Sequence, residues 1–480
     1  MDNKQKLVTA GIVGSISMIL ASRVIPHQVT KLIGSVFMTD SYDENLLELF
    51  SAAKRVGPQV IAETNLRAEE GLTIARPLGT PVTFIHLDGL AFNPAILHKL
   101  PTPANESIDT TTVLGKHCQK PMILQNPILI AGMAYGFALS EEAKYALAKG
   151  SAYGGTATNT GEGAFLQKER ELAKHLVIQY NRGHWSKEPE ILRQADMIEI
   201  QLGQGAYVGT GHSTKSSLID PLQRKRLKLP PGKPAIIEAR LPELTKKNGL
   251  RNLVIRLREL TGGVPIACKF PFTNDLEKDI DIALEAQIDV LALEGGQAAT
   301  KGSPPILEDD FGLPTIIGLS RTLEHLEKHR VRDKVDIIVS GGLNTPGHFL
   351  KVLALGADAV YIGAIAMFAM THTQVLKGVP FEPPTQVIWN DGKYKNTFNW
   401  KQGGTSLGKF LTSCREEMCE GVRALGKRAL SELARSDLCS LDQKTADITK
   451  IPMAYQPITH TQQATPIRRR RVRSPLIQRP

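Results

Sequence analysis

The sequence predicts a (β/α)8 barrel. Eight short apolar runs of strand length follow one another between residues 127 and 363, most are separated by a helical pattern, and glycines recur where the runs end. The runs are PILIAG (127–132), GGTATNT (154–160), HLVIQY (175–180), MIEIQL (197–202), VPIACKF (264–270), DVLALEGG (289–296), DIIVSGG (336–342) and AVYIG (359–363). Segments such as LSEEAKYALAKG and TPGHFLKVLALG lie between them, with apolar residues at helical spacing. Near-continuous apolar runs suit strands of a parallel sheet, which is buried on both faces, and the helices are the crossovers such a sheet needs. Eight units close a cylinder, whereas an open doubly wound sheet seldom needs eight strands in a row.

The flanks divide the chain further. Residues 121–455 are expected to form the barrel with C-terminal helices, because FLTSCREEMCEGVRALGKRALSELA (410–434) keeps a helical apolar period and reads as a cap. Residues 36–120 are an N-terminal extension, with an amphipathic stretch from Glu44 to Ala62 and prolines up to Pro103. Residues 1–35 hold an uncharged run from Leu7 to Ser22. As a helix that run spans roughly 24 Å, short of a hydrocarbon core of about 30 Å. Two readings stay open there: a segment attached to the cytoplasmic face of a membrane, or a soluble docking helix. A cleavable leader fits poorly, since LASRV lacks the small-residue cleavage pattern. Under either reading the barrel is expected in the cytoplasm.

Composition narrows the function classes. The 42% hydrophobic and 22% charged content suits a packed core. Net charge is +10, yet six arginines (468, 469, 470, 471, 473 and 479) fall in the last thirteen residues, and without them the body is near +4. Basicity is thus a property of the tail, residues 456–480, which is rich in Pro, Thr, Gln and Arg and is expected to be disordered. No nucleic-acid partner is expected. Five scattered cysteines suit reduced thiols rather than a disulfide framework.

In a parallel barrel chemistry gathers at the carboxyl ends of the strands. Gly341-Gly342 and Gly363-Ala364 end the seventh and eighth runs, and Asn344-Thr345-Pro346-Gly347 reads as a helix start aimed at the same place, together a phosphate cradle. Lys269 closes an apolar strand and needs an anion near its charge; the other reading is a lysine reaching out of the barrel mouth. Glu162 sits between glycines in Asn159–Gly163, placed to give or take a proton or to hold an amino group, although a plain turn has the same composition. The glycine-laced segment from Gln201 to His212 and the Glu294–Gln297 run suit a ligand edge better than a tight connector.

Together these residues resemble the FMN-binding synthase domain of glutamate synthase, and more closely the stand-alone bacterial proteins of that family. The likeness covers roughly residues 120–455 through GMAYGFALS (132–140), TNTGEG (158–163), IEIQLGQGAYVGTG (198–211), ACKF (267–270), LEGGQAATKGSPP (293–305), IVSGGLNTPGHF (338–349) and LALGADAVYIG (353–363), seven motifs in one order. The resemblance implies FMN as cofactor, with Gly132, Met133 and Ala134 beside its ring and Lys269 at its pyrimidine edge. It implies Gly341, Gly342, Gly363 and Ala364 at the phosphate, and Gln204 and Gly296 in the same shell. Glu162 and Lys269 would be catalytic, and Gln204 and Tyr207 would face the substrate. The implied reaction reduces 2-iminoglutarate, formed from 2-oxoglutarate and ammonia, to L-glutamate. Its electrons would come from a donor such as ferredoxin or a pyridine-nucleotide reductase.

Three departures from the family pattern carry expectations of their own. No cysteine lies between Gly363 and Leu411, and Cys414 and Cys419 stand five apart in a helical segment with Gly408 before them, so the iron–sulfur cluster and any other metal are expected to be absent. The chain starts Met1-Asp2 and its first cysteine is Cys118, so no glutaminase nucleophile is expected. Tyr207 stands where the family often has a lysine, and a phenol brings no positive charge for a dianionic acid, which leaves a different substrate open. Other readings are a 2-hydroxy-acid oxidase, which wants a histidine base where this chain has Glu294-Gly295-Gly296-Gln297, and an IMP-dehydrogenase-like barrel, which wants a cysteine that is missing from Gly296 to Ser340. A membrane-associated flavin-binding protein that no longer makes glutamate is the reading from another class.

Overall fold

The computed structural model describes residues 41, 45, 47–379 and 383–456. The run from Leu7 to Ser22 and the arginine-rich tail lie outside the described residues. Among those described, no helix is long and apolar enough to cross a membrane. The chain divides into two compact units, Met1–Ile74 and Ala75–Pro480. In the first, the expected amphipathic stretch is two helices, Leu47–Val56 and Pro58–Glu70, because a proline at 58 starts a new helix instead of continuing one.

The second unit holds the barrel, and all eight apolar runs are strands of one sheet. They are β1 (Ile128–Ile130), β2 (Ala157–Asn159), β3 (His175–Tyr180), β4 (Met197–Gln201), β5 (Ile266–Pro271), β6 (Val290–Glu294), β7 (Asp336–Ser340) and β8 (Ala359–Ile362). Every ladder is parallel, and the order is β1-β8-β7-β6-β5-β4-β3-β2. Strands β1 and β2, the two ends of that order, lie side by side without a ladder, so the cylinder has one seam. A helix follows each strand: α1 (Glu141–Tyr153), α2 (Gln167–Leu172), α3 (Pro189–Leu192), α4 (Gly249–Thr261), α5 (Leu276–Glu285), α6 (Thr315–Lys328), α7 (Pro346–Leu355) and α8 (Ala364–Thr371).

Strand alternation sorts the residues into two cores. Ile178, Ile198, Ile200, Ile266, Phe270, Leu293, Val339 and Val360 face the helices. Val177, Met197, Ala267, Val290, Ile338 and Ala359 point inward and fill the amino end of the barrel together with Leu114, Met122 and Leu124. Those last three belong to an antiparallel hairpin, Thr112–Leu114 with Met122–Leu124, that plugs this end. Lys116 in the hairpin turn bonds Asp336 at 2.6 Å and Asp358 at 2.9 Å, which ties the plug to the starts of β7 and β8.

The expected helix over 410–434 is longer at one end and shorter at the other. It is α9, Trp400–Ala424, capped by the Asn399 side chain; the chain turns at Gly426 and goes on as a short 3-10 turn, Leu430–Glu432. Helices α9 and α1 pack very closely. A Cβ at Gly404 would lie 2.9 Å from Lys149, and one at Gly408 would lie 2.5 Å from the Tyr153 ring, so glycine sets the approach. Strand Leu438–Ser440 then pairs with Leu90–Phe92, joining the two flanks of the barrel.

Candidate active site

Inward positions near the carboxyl ends of the strands are polar, whereas those at the amino end are apolar. Asn159, Gln179, Glu199, Gln201, Lys269, Glu294, Ser340 and Tyr361 are all buried there. Above them opens a cavity of about 520 Å³, a size typical of small-molecule and cofactor sites.

The floor is one hydrogen-bonded network. Glu199 accepts from Asn159 at 2.9 Å and from Gln179 at 2.8 Å. Lys269 Nζ stands 3.5 Å from Glu294 Oε2 and 5.9 Å from the centre of the Tyr361 ring. Glu294 also accepts the Gly205 N–H at 3.0 Å and the Ser340 hydroxyl at 2.9 Å. Burial works to discharge Lys269, but Glu294 and Glu199 more than offset it and hold the ammonium above its ordinary value. The anion expected near Lys269 is therefore already in the protein, and the lysine does not depend on a ligand for its counter-charge.

One wall is built from backbone. Gly341 and Gly342 have φ of 109° and 70°, and the first helical turn of α7 follows, with the Thr345 side chain accepting from the His348 N–H. Helix α8 begins at Ala364 on the cavity wall, and no side chain caps its first N–H groups. A Cβ on Gly363 would meet nothing within 4 Å, so open space faces this backbone. Unbonded N–H groups at a helix start beside bare glycine backbone make an anion cradle. A Cβ at Gly341 would lie 2.7 Å from Thr315 Oγ1 and 2.8 Å from Gly295 N. Gly341→Ala is expected to cost at least about 1–3 kcal/mol from backbone strain alone, measured as a lower urea midpoint.

The opposite side carries Glu162 after β2. Its carboxylate accepts from Gln201 Nε2 at 3.2 Å and lies 3.3 Å from His212 Nε2, while its backbone carbonyl accepts from the Trp185 indole at 2.8 Å. Burial pushes the carboxyl up, but His212, Arg182 and Gln201 together hold it below the usual carboxylate range. The His212 and Tyr207 rings are 5.0 Å apart. Burial pushes the Tyr207 phenol up, so it is a neutral hydrogen-bonding group rather than a charge. Gln204 Nε2 donates to Thr300 at 3.1 Å, joining the loop after β4 to the loop after β6.

Behind the wall lies a fully buried lysine; burial pulls its ammonium below the ordinary value, although Glu169 partly restores it. Lys144 of α1 donates to the carbonyls of Met133 and Asn159 at 2.7 Å each and of Thr160 at 3.2 Å, with Glu169 3.0 Å away. It joins the loops after β1 and β2 from the side away from the cavity.

Of the residues picked out from sequence, Gly132, Met133, Ala134, Glu162, Gln204, Tyr207, Lys269, Gly341, Gly342, Gly363 and Ala364 all line the cavity. Gly296 does not; its N–H bonds Leu313 O, and it lies against Gly312. Sequence reasoning passed over Gln179, Glu199, Lys144 and Lys301. The first two were legible as the polar alternates in HLVIQY and MIEIQL; the lysines left no such signal. Cys414 and Cys419 are buried in α9, where burial pushes the Cys414 thiol up to about 12. Among the described residues, no group of three His, Cys, Asp or Glu side chains is placed to hold a metal ion.

Eight parallel strands around one ionisable cavity at their carboxyl ends define a (β/α)8-barrel enzyme. Residues 90–428 match the family model described as a conserved region in glutamate synthase. A glutamate synthase large subunit-like protein of Rhizobium meliloti (strain 1021) is 31% identical over 413 residues, covering 82% of this chain and 93% of its own length. The archaeal glutamate synthase (NADPH) of Archaeoglobus fulgidus is 32% identical over 270 residues, 56% of this chain, and the match spans only 52% of that relative. Among solved structures, a flavocytochrome b2 variant with sulfite bound aligns at a TM-score of 0.49 and 17% identity, over 80% of this chain and 84% of its own. A chimera of (S)-mandelate dehydrogenase aligns at 0.47 and 14%, over 74% and 88%. The chain belongs to the glutamate synthase family, and it is an oxidoreductase of that family.

Proposed function

We propose that the cavity binds FMN and forms L-glutamate, or a closely related amino acid, from a 2-oxo acid and ammonia. One observation carries the reading: a single cavity joins an uncapped helix start and bare glycine backbone on one wall to a buried ammonium on its floor and an ionised carboxylate opposite. The residues present fit this cofactor. Gly341, Gly342, Gly363 and the start of α8 would hold its phosphate, and Gly132 to Ala134 would flank its ring. Lys269 would stand at the ring edge that gains negative charge on reduction. When bound, reduced FMN supplies a hydride.

The chain's own groups orient the rest. Glu162, kept ionised, is an acceptor and would hold an N–H of ammonia or of the imine. Gln204 and Tyr207 offer neutral hydrogen bonds to the oxo acid. Because Tyr207 brings no charge, a 2-oxo acid other than 2-oxoglutarate is the second reading. Residues 121–455 form the catalytic domain in this proposal, with 36–120 as an extension and 1–35 and 456–480 as flanking segments. Electrons would come from a ferredoxin or a pyridine-nucleotide reductase.

The test begins with colour. Purified protein, alone or after adding FMN, is expected to show flavin absorbance in the blue and near-UV, and with a chemical reductant it should convert 2-oxoglutarate and ammonia to glutamate. Folded protein that stays colourless and rejects FMN would overturn the reading. Bound flavin without glutamate formation would move the assignment to another 2-oxo acid.

A further inference from the structure

We propose that Lys301 is the cation that receives the substrate carboxylate, and that Asp391 is the partner this carboxylate displaces. The inference rests on the reading of the cavity as a 2-oxo acid site and names the group that gives it affinity for an anion.

Lys301 begins the short strand Lys301–Ser303, which pairs with Arg76–Pro77 beyond the end of β6. Its side chain lines the cavity and is 17% exposed. Nζ lies 4.8 Å from the centre of the Trp389 ring, and Trp389 lines the same cavity, so an aromatic face fixes where the ammonium sits. Its carboxylate partner, Asp391 at 2.5 Å, is 69% exposed and is not part of the cavity wall. Only the carboxylate end of this pair is exposed, so water can replace the lysine around Asp391 when a better anion reaches the ammonium.

The other ionisable groups of the wall have partners within it. Lys269 faces Glu294 on the floor, and His212 faces Glu162. Among the described lining residues, that leaves Lys301 as the lysine whose counter-ion comes from outside the cavity. Burial pulls its ammonium below the ordinary lysine value, the Asp391 carboxylate only partly restores it, and Lys395 adds a like charge nearby. An anion arriving from the cavity side would supply the missing compensation. Thr300, next to Lys301, is bonded to Gln204, so the proposed cation is joined to the amide expected to touch the same substrate.

The experiment uses FMN-loaded full-length protein and measures 2-oxoglutarate binding by calorimetry, with melting temperature and flavin content as controls. Lys301→Met is expected to weaken binding about 10- to 100-fold, the range for losing a charge-assisted hydrogen bond. Lys301→Arg should keep most of the affinity, and Asp391→Asn, which leaves the lysine intact, should tighten it. In turnover the Lys301→Met effect should fall on KM with kcat little changed. Equal affinity in wild type and Lys301→Met, or weaker binding in Asp391→Asn, overturns this inference and leaves the proposed function standing. Failure of the wild-type holoprotein to bind 2-oxoglutarate at millimolar concentration overturns the substrate reading, and this inference with it.

Discussion

Lys269→Met is expected to cost about 3–5 kcal/mol of folding stability, the usual penalty for removing one member of a buried ion pair. The side chains of Lys269 and Glu294 are 3% and 9% exposed, and Glu199 lies in the same network. Without the ammonium, Glu294 keeps the Gly205 N–H and the Ser340 hydroxyl, and Glu199 keeps two amides, but both carboxylates lose their cation. The double variant Lys269→Met/Glu294→Gln should recover much of the stability. It should not recover FMN affinity if Lys269 contacts the flavin. Urea midpoints give the first quantity and flavin titration the second; a single-variant loss under about 1 kcal/mol would contradict the buried-pair account. The pH dependence has a definite sign. The folded value of Lys269 is raised, so its contribution is complete below the ordinary lysine value of about 10.4 and fades as pH climbs through the higher folded value.

Lys144→Met is expected to be about as damaging, by a different route. Both members of the Lys144–Glu169 pair are almost wholly buried, and the lysine's donors serve three carbonyls from two loops. The substitution leaves a buried carboxylate unpaired and three carbonyls without a donor, about 3–5 kcal/mol together. Lys144→Met/Glu169→Leu removes the stranded charge and should recover part of that loss. The residual defect should appear at the cavity, because Met133 lines it and Gly161 packs on Met133: a Cβ on Gly161 would lie 2.6 Å from the Met133 carbonyl carbon. Weaker FMN binding with an altered flavin spectrum in the double variant is the expected outcome. A double variant with wild-type flavin affinity would reduce Lys144 to a purely structural role.

The strands of this barrel were legible because their signal is local. HLVIQY and DIIVSGG carry enough apolar and β-branched residues to mark a buried strand wherever the chain goes next. Gly341 and Gly342 of the anion cradle were legible for a similar reason, since a strand-to-helix turn with φ above zero restricts residue choice within a few positions. Lys269 was found because a lysine closing an apolar strand is conspicuous. Its partner was not, because Glu294 ends another strand and nothing short-range links the two. Gln179 and Glu199 were hidden by reading each run as uniformly apolar, when every second residue near its end is polar. Lys144 sits in LSEEAKYALAKG, where any solvent-facing lysine would look the same.

By itself, the sequence determined the eight strands, the helices between them and the glycine turns that end them, because hydrophobic periodicity and backbone preference act over a few residues. Only the tertiary structure decided which charges meet: Lys144 with Glu169, Lys269 with Glu294, Lys301 with Asp391. Coulomb attraction depends on distance and desolvation, and both are settled by how the closed cylinder and its loops bring separate segments together.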